Sequence, residues 1–594
     1  MEYLPFNATS LVEGFWLYYY ELAKNVTVYR VYDRFKETGR FDALSCRWLQ
    51  GQENKPHIFW DSDVAKWIEG AAYLLLRERD ADLEQKIDDM VVQISNHQRE
   101  DGYYNSYFLS IAPSEIYTNR DGHELYCTGH WIEAALAYDQ ATGKDLLLQC
   151  MLKNVDYIYK VFVEEKSAAF VTPGHEEIEL ALIKLYRYTN DPKHLELARF
   201  FLDQRGNNER EERMIYNQSD LPLREIQEAK GHAVRACYLY TAMAMMAKVD
   251  EDACLLASCD RVFDDIIQKK MSITGGIGSQ PIGEKFSYAY DLPNRGTYNE
   301  TCAAISLAMF ASEMQLLKGD SLYGDLIERI YYNGFLSGMS LSGDHFFYTN
   351  PMELELDKYQ RDGEPGIRAE RVQVFDCSCC PPNVLRMLSS LPRYAYAIDG
   401  DVVYCHQFLS GQTRFTVNGK EAVLTQKTAY PSDGNIQFAY QGEPITLRVR
   451  IPSWCVEYEG QTKNGFAEYH LNDGDSITVT LPMEIHFIEA NPAVQENSGR
   501  YAVMRGPIVY CMEGVDNGRN LRDITLLEDG AMEIVTEEGI PAPILYMDAE
   551  RRKERVSLYQ LKSSDRYAIK ARLIPYFAMA NRGATDMIVW TMVK

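Results

Sequence analysis

Three segments of the chain begin a helix in the same way, and this repeat constrains the fold more than any other feature of the sequence. Thr128-Gly129-His130-Trp131, Pro173-Gly174-His175-Glu176 and Lys230-Gly231-His232-Ala233 each lead into an amphipathic helix that a second helix follows. Helix–loop–helix units at intervals of about 45 to 70 residues are typical of toroidal or solenoid packing.

Three further segments have the composition of a helix start: Asp61-Ser62-Asp63, Glu300-Thr301-Cys302 and Cys379-Cys380-Pro381-Pro382-Asn383. Proline and asparagine at the first positions of a helix are start signals. Six helices that begin with Asp, His, Glu or Cys predict the inner ring of an (α/α)6 barrel, with their reactive side chains gathered at one mouth. A solenoid whose helix starts face solvent is the alternative.

The periodicity of the apolar residues changes once along the chain. It is helical up to about residue 395 and alternates from about residue 400 onward. We therefore expect a multidomain, mainly α protein with an (α/α)6 barrel over 16–395, a β-sandwich over 396–490, and a second sandwich or an extension over 491–594. Residues 1–15 are expected to form an N-terminal segment that pairs with the β-domain. Antiparallel hairpins are predicted at three turns, Asn418-Gly419, Asp433-Gly434 and Asp473-Gly474.

The charge and the cysteine count limit the possible partners and the compartment. A formal net charge of −25 disfavours nucleic acid and anionic membrane surfaces as ligands. The sequence shows neither a signal peptide nor an apolar run long enough to span a bilayer. The 13 cysteines are an odd number scattered through a long chain, which is typical of a reducing compartment. These features predict a cytoplasmic protein without nucleic acid or membrane partners.

A carboxylate and several thiols occur together in Glu300-Thr301-Cys302 and Cys377-Ser378-Cys379-Cys380. Zinc accepts both oxygen and sulfur ligands, so one carboxylate and three thiolates can complete a tetrahedral shell. The spacing is not that of a zinc finger. From these residues alone, a set of buried thiols and a purely structural zinc ion both remain open.

The sequence around these residues resembles glycoside hydrolase family 127, which is typified by β-L-arabinofuranosidases. The resemblance rests on Gly275-Gly276-Ile277-Gly278-Ser279, Glu300-Thr301-Cys302 and Cys379-Cys380-Pro381-Pro382-Asn383. It extends from Asp61-Ser62-Asp63 into the β-rich C-terminal part. The combination of the three motifs is highly specific.

The resemblance implies both an activity and a set of roles. It implies a retaining, exo-acting glycoside hydrolase that releases a terminal furanosyl residue, with β-L-arabinofuranose as the expected sugar. Zn²⁺ would be held by Glu300, Cys302, Cys379 and Cys380. Cys379 would also be the nucleophile, and Glu284 matches the general acid/base of the family. Cys377 falls outside the metal set and is expected to be a buried thiol or a neighbour of the ligands.

The chemistry of these groups agrees with those roles. A free thiol has a pKa of about 8.5 and is mostly protonated at neutral pH, whereas metal coordination deprotonates it. Attack by Cys379 at the anomeric carbon would form a thioglycosyl enzyme, with Glu284 as the acid and then as the base. We expect a dry pocket to raise the pKa of Glu284 so that its carboxyl group is protonated before the first step.

Five further residues are candidates for binding the sugar. The histidines His130, His175 and His232 occupy equivalent positions in the repeat, although a single histidine is more often structural. Tyr348, in the segment before Cys379, resembles a pocket tyrosine of the family; packing in a strand is its alternative role. Asp63 is a weaker candidate, because Asp61 and Asp63 could simply cap a helix.

Two other functions compete with hydrolysis. A sugar epimerase or isomerase on an (α/α)6 barrel would use the histidines as acid and base and would not need the cysteine segments. A non-catalytic sugar-binding protein with a structural zinc ion would not need Glu284. The expected partner is a small oligosaccharide or glycoside. The oligomeric state is open, with a homodimer as one expectation.

Overall fold

The structure, a computed structural model, describes residues 1–363, 366–553, 557–559, 561 and 564–594. None of the helices within these residues is long and apolar enough to cross a membrane. The α-helices in chain order are α1 (Phe15–Leu22), α2 (Val28–Glu37), α3 (Arg40–Ala43), α4 (Trp60–Leu75), α5 (Ala81–His97), α6 (Ser106–Ser110), α7 (Glu124–Thr142), α8 (Leu146–Tyr159), α9 (Ile178–Thr189), α10 (Pro192–Gln204), α11 (Ala233–Asp250), α12 (Ala253–Asp265), α13 (Thr301–Lys318), α14 (Ser321–Arg329), α15 (Leu356–Asp362), α16 (Cys380–Ser390) and α17 (Gly514–Asn517).

Six of these helices form a closed ring. Each packs against the next in the order α4, α7, α9, α11, α13 and α16, and α16 returns to α4. Around this ring, α5, α8, α10, α12 and α14 each pack on the inner helix that precedes them, while α2 packs on α4 and α16. The predicted (α/α)6 barrel is confirmed.

The two layers differ in composition and in how their helices begin. The inner helices are buried on nearly every side, so they lack a polar face. The outer helices α5, α10, α12 and α14 begin after Asp80, Asp191, Asp252 and Asp320, whose carboxylates accept hydrogen bonds from the backbone N–H groups of the first turn. Among the inner helices, α11, α13 and α16 begin after His232, Glu300 and Cys379. Aspartate thus caps the outer layer, whereas the inner layer places more reactive groups at its helix starts.

Two of the predicted helix starts are wrong in position. Helix α7 begins at Glu124, so His130 lies in its second turn instead of at its start. Helix α9 begins at Ile178, three residues after His175. Because inner helices are buried all round, their periodicity carries little information about where they begin.

The β-strands in chain order are β1 (Glu2–Tyr3), β2 (Thr9–Glu13), β3 (Glu353–Leu354), β4 (Tyr396–Asp399), β5 (Val402–Cys405), β6 (Ser410–Val417), β7 (Lys420–Thr428), β8 (Asn435–Gln441), β9 (Ile445–Arg450), β10 (Phe466–Leu471), β11 (Ser476–Thr480), β12 (Ile485–Glu489), β13 (Tyr501–Arg505), β14 (Ile508–Glu513), β15 (Ile524–Leu526), β16 (Met532–Val535), β17 (Ile544–Arg552), β18 (Arg566–Pro575), β19 (Met587–Ile588) and β20 (Met592–Val593). Two sheets have the orders β1-β4-β5-β9-β10 and β11-β8-β7-β6-β2. A third follows β12-β13-β14-β18-β17-β15-β20, with β16, β19 and β3 attached to it. The β-rich C-terminal part predicted from the alternating pattern is therefore confirmed.

The three predicted hairpin turns have different outcomes. Asn418 and Gly419 join β6 to β7 in a tight hairpin, and both residues have positive φ angles, as this turn requires. Strands β7 and β8, on either side of Asp433-Gly434, also pair antiparallel. The third prediction is wrong, because Asp473-Gly474 connects β10 and β11, which belong to different sheets. A turn signal predicts a reversal of the chain, but it does not determine which strands become neighbours.

A buried arginine joins the barrel to the first sheet. Arg450 on β9 donates to Asp325 and Glu328 of α14 at 2.6 Å each and to the His406 carbonyl at 2.6 Å. Trp454 donates to the second oxygen of Glu328 at 3.0 Å. These contacts fix the sheet against the end of α14.

We predict that Arg450→Met lowers the free energy of unfolding by about 3–5 kcal/mol, because Asp325 and Glu328 lose the buried ion pairs and hydrogen bonds that Arg450 provides. Arg448→Met is the matched control on the same strand. Its guanidinium pairs with half-exposed Glu468, and its loss should cost about 1 kcal/mol or less. Thermal and denaturant unfolding would measure both effects. Equal losses in the two variants would contradict the role given to Arg450.

Candidate active site

The N-terminal ends of the inner helices surround a cavity of about 360 Å³. Two groups of the predicted residues line it. The first contains the cluster members Glu300, Cys302, Cys377 and Cys379, and the second contains Glu284, His175, His232 and Tyr348. Cys380 is fully buried just behind this surface.

The neighbouring helices α13 and α16 bring the carboxylate and the thiols together. Cys302 Sγ lies 3.3 Å from Cys380 Sγ, and Cys379 Sγ lies 3.7 Å from Cys380 Sγ. Glu300 Oε1 lies 3.7 Å from Cys379 Sγ and 3.8 Å from Cys380 Sγ. Two short segments that are distant in sequence therefore form one compact set of four donor atoms.

This donor set fits a tetrahedral zinc ion. The four ligand atoms of Glu300, Cys302, Cys379 and Cys380 all lie within 4.8 Å of one another. Zinc–sulfur bonds of about 2.3 Å place the corners of a tetrahedron about 3.8 Å apart, close to the separations between these sulfur atoms. Glu300 Oε2 is buried and has no hydrogen-bond partner within the described part of the chain. A cation would satisfy this oxygen.

The electrostatics of the cluster also favour a cation. Burial, and then the charge of Cys379, raise the pKa of Glu300 well above its ordinary value. Burial likewise raises the pKa of Cys380. Burial opposes ionisation of Cys302 as well, but hydrogen bonds from Cys379 and Cys380 lower its pKa to about 6. A negative charge on one of these groups therefore disfavours ionisation of the others. A divalent cation would allow several of them to be ionised at once.

Glu284 is carried by a tight hairpin next to the start of α11. Gln280 and Lys285 pair across the turn, and both Gly283 and Glu284 have positive φ angles. The Glu284 carbonyl accepts from the N–H of Ala233, which holds the hairpin against the helix. Its side chain is 33% exposed and therefore accessible from the cavity. A Glu284 oxygen also lies within 4.8 Å of a Glu300 oxygen.

A histidine fixes the carboxylate of Glu284. His232 Nε2 lies 2.9 Å from Glu284 Oε2, and His232 Nδ1 accepts from the N–H of Arg235 at 3.4 Å. Because Nδ1 is an acceptor, the ring proton is assigned to Nε2, which donates to Glu284.

The expected raised pKa of Glu284 is wrong for this conformation. Burial raises the pKa of Glu284. Hydrogen bonds from His232 and Tyr298 and the charge of Arg235 lower this pKa by a larger amount, so the net shift is downward. The sequence predicted the direction in which burial shifts the pKa of Glu284. It did not show the hydrogen-bond donors that point at the carboxylate. In this geometry Glu284 is a carboxylate.

Tyr348 lies beside the candidate nucleophile. Its hydroxyl oxygen is 3.3 Å from Cys379 Sγ, and its carbonyl accepts from the N–H of Thr301 at 2.9 Å. Burial raises the pKa of the Tyr348 hydroxyl well above its ordinary value. The hydroxyl therefore stays protonated and can donate to a Cys379 thiolate.

The structure brings two of the three predicted histidines to the cavity. His175 lies with its ring centroid 5.6 Å from that of His232 and 4.1 Å from that of Tyr126. His130 is fully buried inside the barrel, where Nδ1 lies 3.3 Å from a Glu177 oxygen, and it does not line the cavity.

Asp63 also lies outside the cavity. It accepts from Arg40 Nε at 2.9 Å, and Arg40 Nη2 donates to the carbonyls of Phe375 and Asp376. Asp63 thereby holds the backbone just before Cys377 instead of facing a sugar. Asp61 accepts from the N–H of Ser106 at 2.9 Å, so it too has a structural partner.

The lining residues that were missed from the sequence include His123, Tyr216, Arg235 and Tyr238. His123 precedes the first residue of α7 and occupies the position that was assigned to His130. A signal for it exists, because Gly122-His123-Glu124 has the same three residues as Gly174-His175-Glu176. Burial, followed by the charge of Arg235, lowers the pKa of His123 to about 3, so its ring is neutral.

Comparison with known families matches nearly the whole chain. The family model described as the GH127 catalytic domain of β-L-arabinofuranosidase matches residues 9–393. Those of the GH127 middle domain and the glycoside hydrolase family 127 C-terminal domain match residues 402–483 and 485–592.

Individual proteins are similar over the same length. The chain is 32% identical to a non-reducing end β-L-arabinofuranosidase of Bifidobacterium longum subsp. longum, over 90% of this chain and 89% of that protein. A crystal structure of a GH127 β-L-arabinofuranosidase from Geobacillus stearothermophilus T6 has a TM-score of 0.94 and 35% identity, covering 99% of this chain and all of that one. A second solved GH127 β-arabinofuranosidase has a TM-score of 0.90 and 32% identity, covering 100% of this chain and 98% of that one.

Proposed function

The chain belongs to glycoside hydrolase family 127, and from this membership and the geometry of the cavity we propose a specific reaction for this glycoside hydrolase. It releases a terminal β-L-arabinofuranosyl residue with retention of configuration, using Cys379 as the nucleophile and Glu284 as the acid/base. The observation that carries the proposal is the position of the Cys379 thiol, which lines the cavity within a set of zinc-compatible donors. The names of the similar proteins support the choice of sugar.

The size of the cavity supports an exo mode of action. About 360 Å³ is at the small end of the range for ligand cavities, which suits one terminal sugar ring. His232 uses its two ring nitrogens on Glu284 and on the N–H of Arg235. His175 supplies a ring nitrogen to the cavity, and Arg235 adds a guanidinium whose Nε has no hydrogen-bond partner among the described residues. These groups would bind the hydroxyls of the sugar.

The nucleophile needs to be a thiolate. Zinc bound to Glu300, Cys302, Cys379 and Cys380 would supply the positive charge that keeps the Cys379 thiol deprotonated. Cys379 also precedes the first residue of α16, and the partial positive charge of a helix N-terminus favours a thiolate at that position. The hydroxyl of Tyr348 would hold the sulfur by donating a hydrogen bond.

The reaction then proceeds in two displacements. Cys379 Sγ attacks the anomeric carbon as the glycosidic C–O bond breaks, and protonated Glu284 gives its proton to the leaving oxygen. In the second step, the Glu284 carboxylate takes a proton from water, and the resulting hydroxide displaces the sulfur from the same carbon. Two inversions give net retention.

The protonation of Glu284 changes during this cycle. The carboxylate held by His232 and Tyr298 is the form required for the second step. A sugar that fills the cavity excludes water and disfavours the charged form, which prepares Glu284 for the first step. The hydrogen bonds to Glu284 therefore set the pH range in which the acid is available.

We predict that Cys379→Ser lowers turnover of an aryl β-L-arabinofuranoside by about 10³-fold or more, because the alcohol replaces the thiolate nucleophile. The variant should keep its zinc, measured by mass spectrometry of the metal content, since three protein ligands remain. The double variant Cys302→Ser/Cys380→Ser leaves only two protein ligands and should lose zinc and activity together.

The exposed thiol of Cys254 provides the control, and Cys254→Ser should leave both the zinc content and the turnover unchanged. Wild-type turnover in Cys379→Ser would overturn the nucleophile assignment. Full activity in a zinc-free wild-type preparation would overturn the metal assignment.

We also predict that Tyr298→Phe raises the pKa of Glu284, because it removes a hydrogen bond to the carboxylate. The acid form of Glu284 then persists to higher pH. For a glycoside with a poor leaving group, the basic limb of the kcat/KM profile therefore moves to higher pH. Tyr510→Phe, which removes a hydroxyl bonded to the Pro543 carbonyl in the C-terminal sheet, is the matched control and should not shift the profile. If the basic limb of Tyr298→Phe stays at the same pH or moves to lower pH, the role given to the Tyr298 hydroxyl is contradicted.

A further inference from the structure

A second cavity, of about 180 Å³, lies in the crevice between the barrel and the third sheet. Its walls come from the segment that follows α12, from the last residue of α14, and from the end of β12 and the segment after it. None of its lining residues lines the cavity that contains Cys379. The crevice is therefore a separate space.

The guanidinium of Arg329 faces this crevice without a partner. No atom in the described part of the chain forms a hydrogen bond or an ion pair with it. Asp325 and Glu328, whose charges attract the guanidinium of Arg329, form their ion pairs with Arg450. Burial lowers the pKa of Arg329. The guanidinium of Arg329 is therefore available to an anion that enters the crevice.

The other groups of the crevice indicate what could satisfy Arg329. Lys269 also lines it but is paired with Asp265 at 3.3 Å, which leaves Arg329 as the lining cation without an ion pair among the described residues. Asn491 accepts from Ala493 through Oδ1, while its Nδ2 has no partner among the described residues. Apolar walls complete the space, with Met271, Ile273, Ile488 and Trp590 among them.

We propose that this crevice is a binding site for a small hydroxylated organic acid. The planar guanidinium of Arg329 would take both oxygens of a carboxylate, and the amide of Asn491 would bind a hydroxyl. The apolar walls favour the carbon skeleton of an organic acid over inorganic phosphate. This assignment is independent of the one made for Cys379.

A ligand in the crevice would touch the segment that carries the candidate catalytic groups. Ser272, on the crevice wall, accepts from Asn299 Nδ2 at 2.9 Å. Asn299 directly precedes Glu300, and Glu284 lies between Ser272 and Asn299 in the chain. The site is therefore placed to respond to an acid present with the glycoside.

Isothermal titration at constant ionic strength tests the proposal, with D-glucuronate as the probe and D-glucose and inorganic phosphate as the comparison ligands. D-glucuronate should bind the wild-type protein saturably, and Arg329→Gln should weaken its binding at least tenfold. Arg414→Gln removes the same charge from an exposed site paired with Glu421 and should leave the affinity unchanged. D-glucose should show no binding that depends on Arg329.

Equal affinity of D-glucuronate for the wild type and Arg329→Gln would overturn the proposal. Equal or tighter binding of phosphate, with the same dependence on Arg329, would overturn the organic class of ligand. Arg329→Gln removes no hydrogen bond or ion pair to the described residues, so the variant should still fold. If it fails to fold, exposed Asn491→Ala serves in its place, and an unchanged D-glucuronate affinity in that variant would contradict the site.

Discussion

The ring of inner helices closes around the guanidinium of Arg386, which lies on α16 inside the barrel. It donates to Glu69 of α4 and Glu133 of α7 at 3.0 Å each, and to the Tyr238 hydroxyl of α11 at 2.9 Å. One side chain thus connects four of the six inner helices. Tyr238 also lines the cavity, so the same charge that holds the ring together supports the floor of the candidate active site. Removing either partner of such a buried network is expected to cost several kcal/mol.

The position of the candidate nucleophile follows from this arrangement. Cys379 precedes α16, and Arg386 fixes the second turn of that helix against its neighbours. Arg40 and Asp63 hold the backbone on the other side, at Phe375 and Asp376. The thiol is therefore constrained from both directions before any ligand binds. This is the preorganisation that a catalytic group requires.

The sequence predicted the barrel and the residues of the thiol cluster, but it could not predict how the partners of each group are arranged. His130 and His123 both follow a glycine near the start of α7, and only the three-dimensional position of the helix start separates them. Asp63 is chemically suited to bind a hydroxyl, yet a buried arginine uses it instead. The downward pKa shift of Glu284 depends on donors from His232 and Tyr298, which the sequence does not place next to it. Local chemistry was thus readable from the chain, whereas contacts between distant segments were not.

Peptide mapping by mass spectrometry would show whether Cys379 forms a covalent bond to the sugar. Glu284→Gln, given a glycoside with a good leaving group, should complete the first displacement without an acid and then stall, because the base for the second is missing. Acid quenching followed by digestion should then reveal a pentosyl group on the peptide that contains Cys379. A pentosyl group on a different residue, or an unmodified Cys379 peptide while the leaving group is released, would contradict the account.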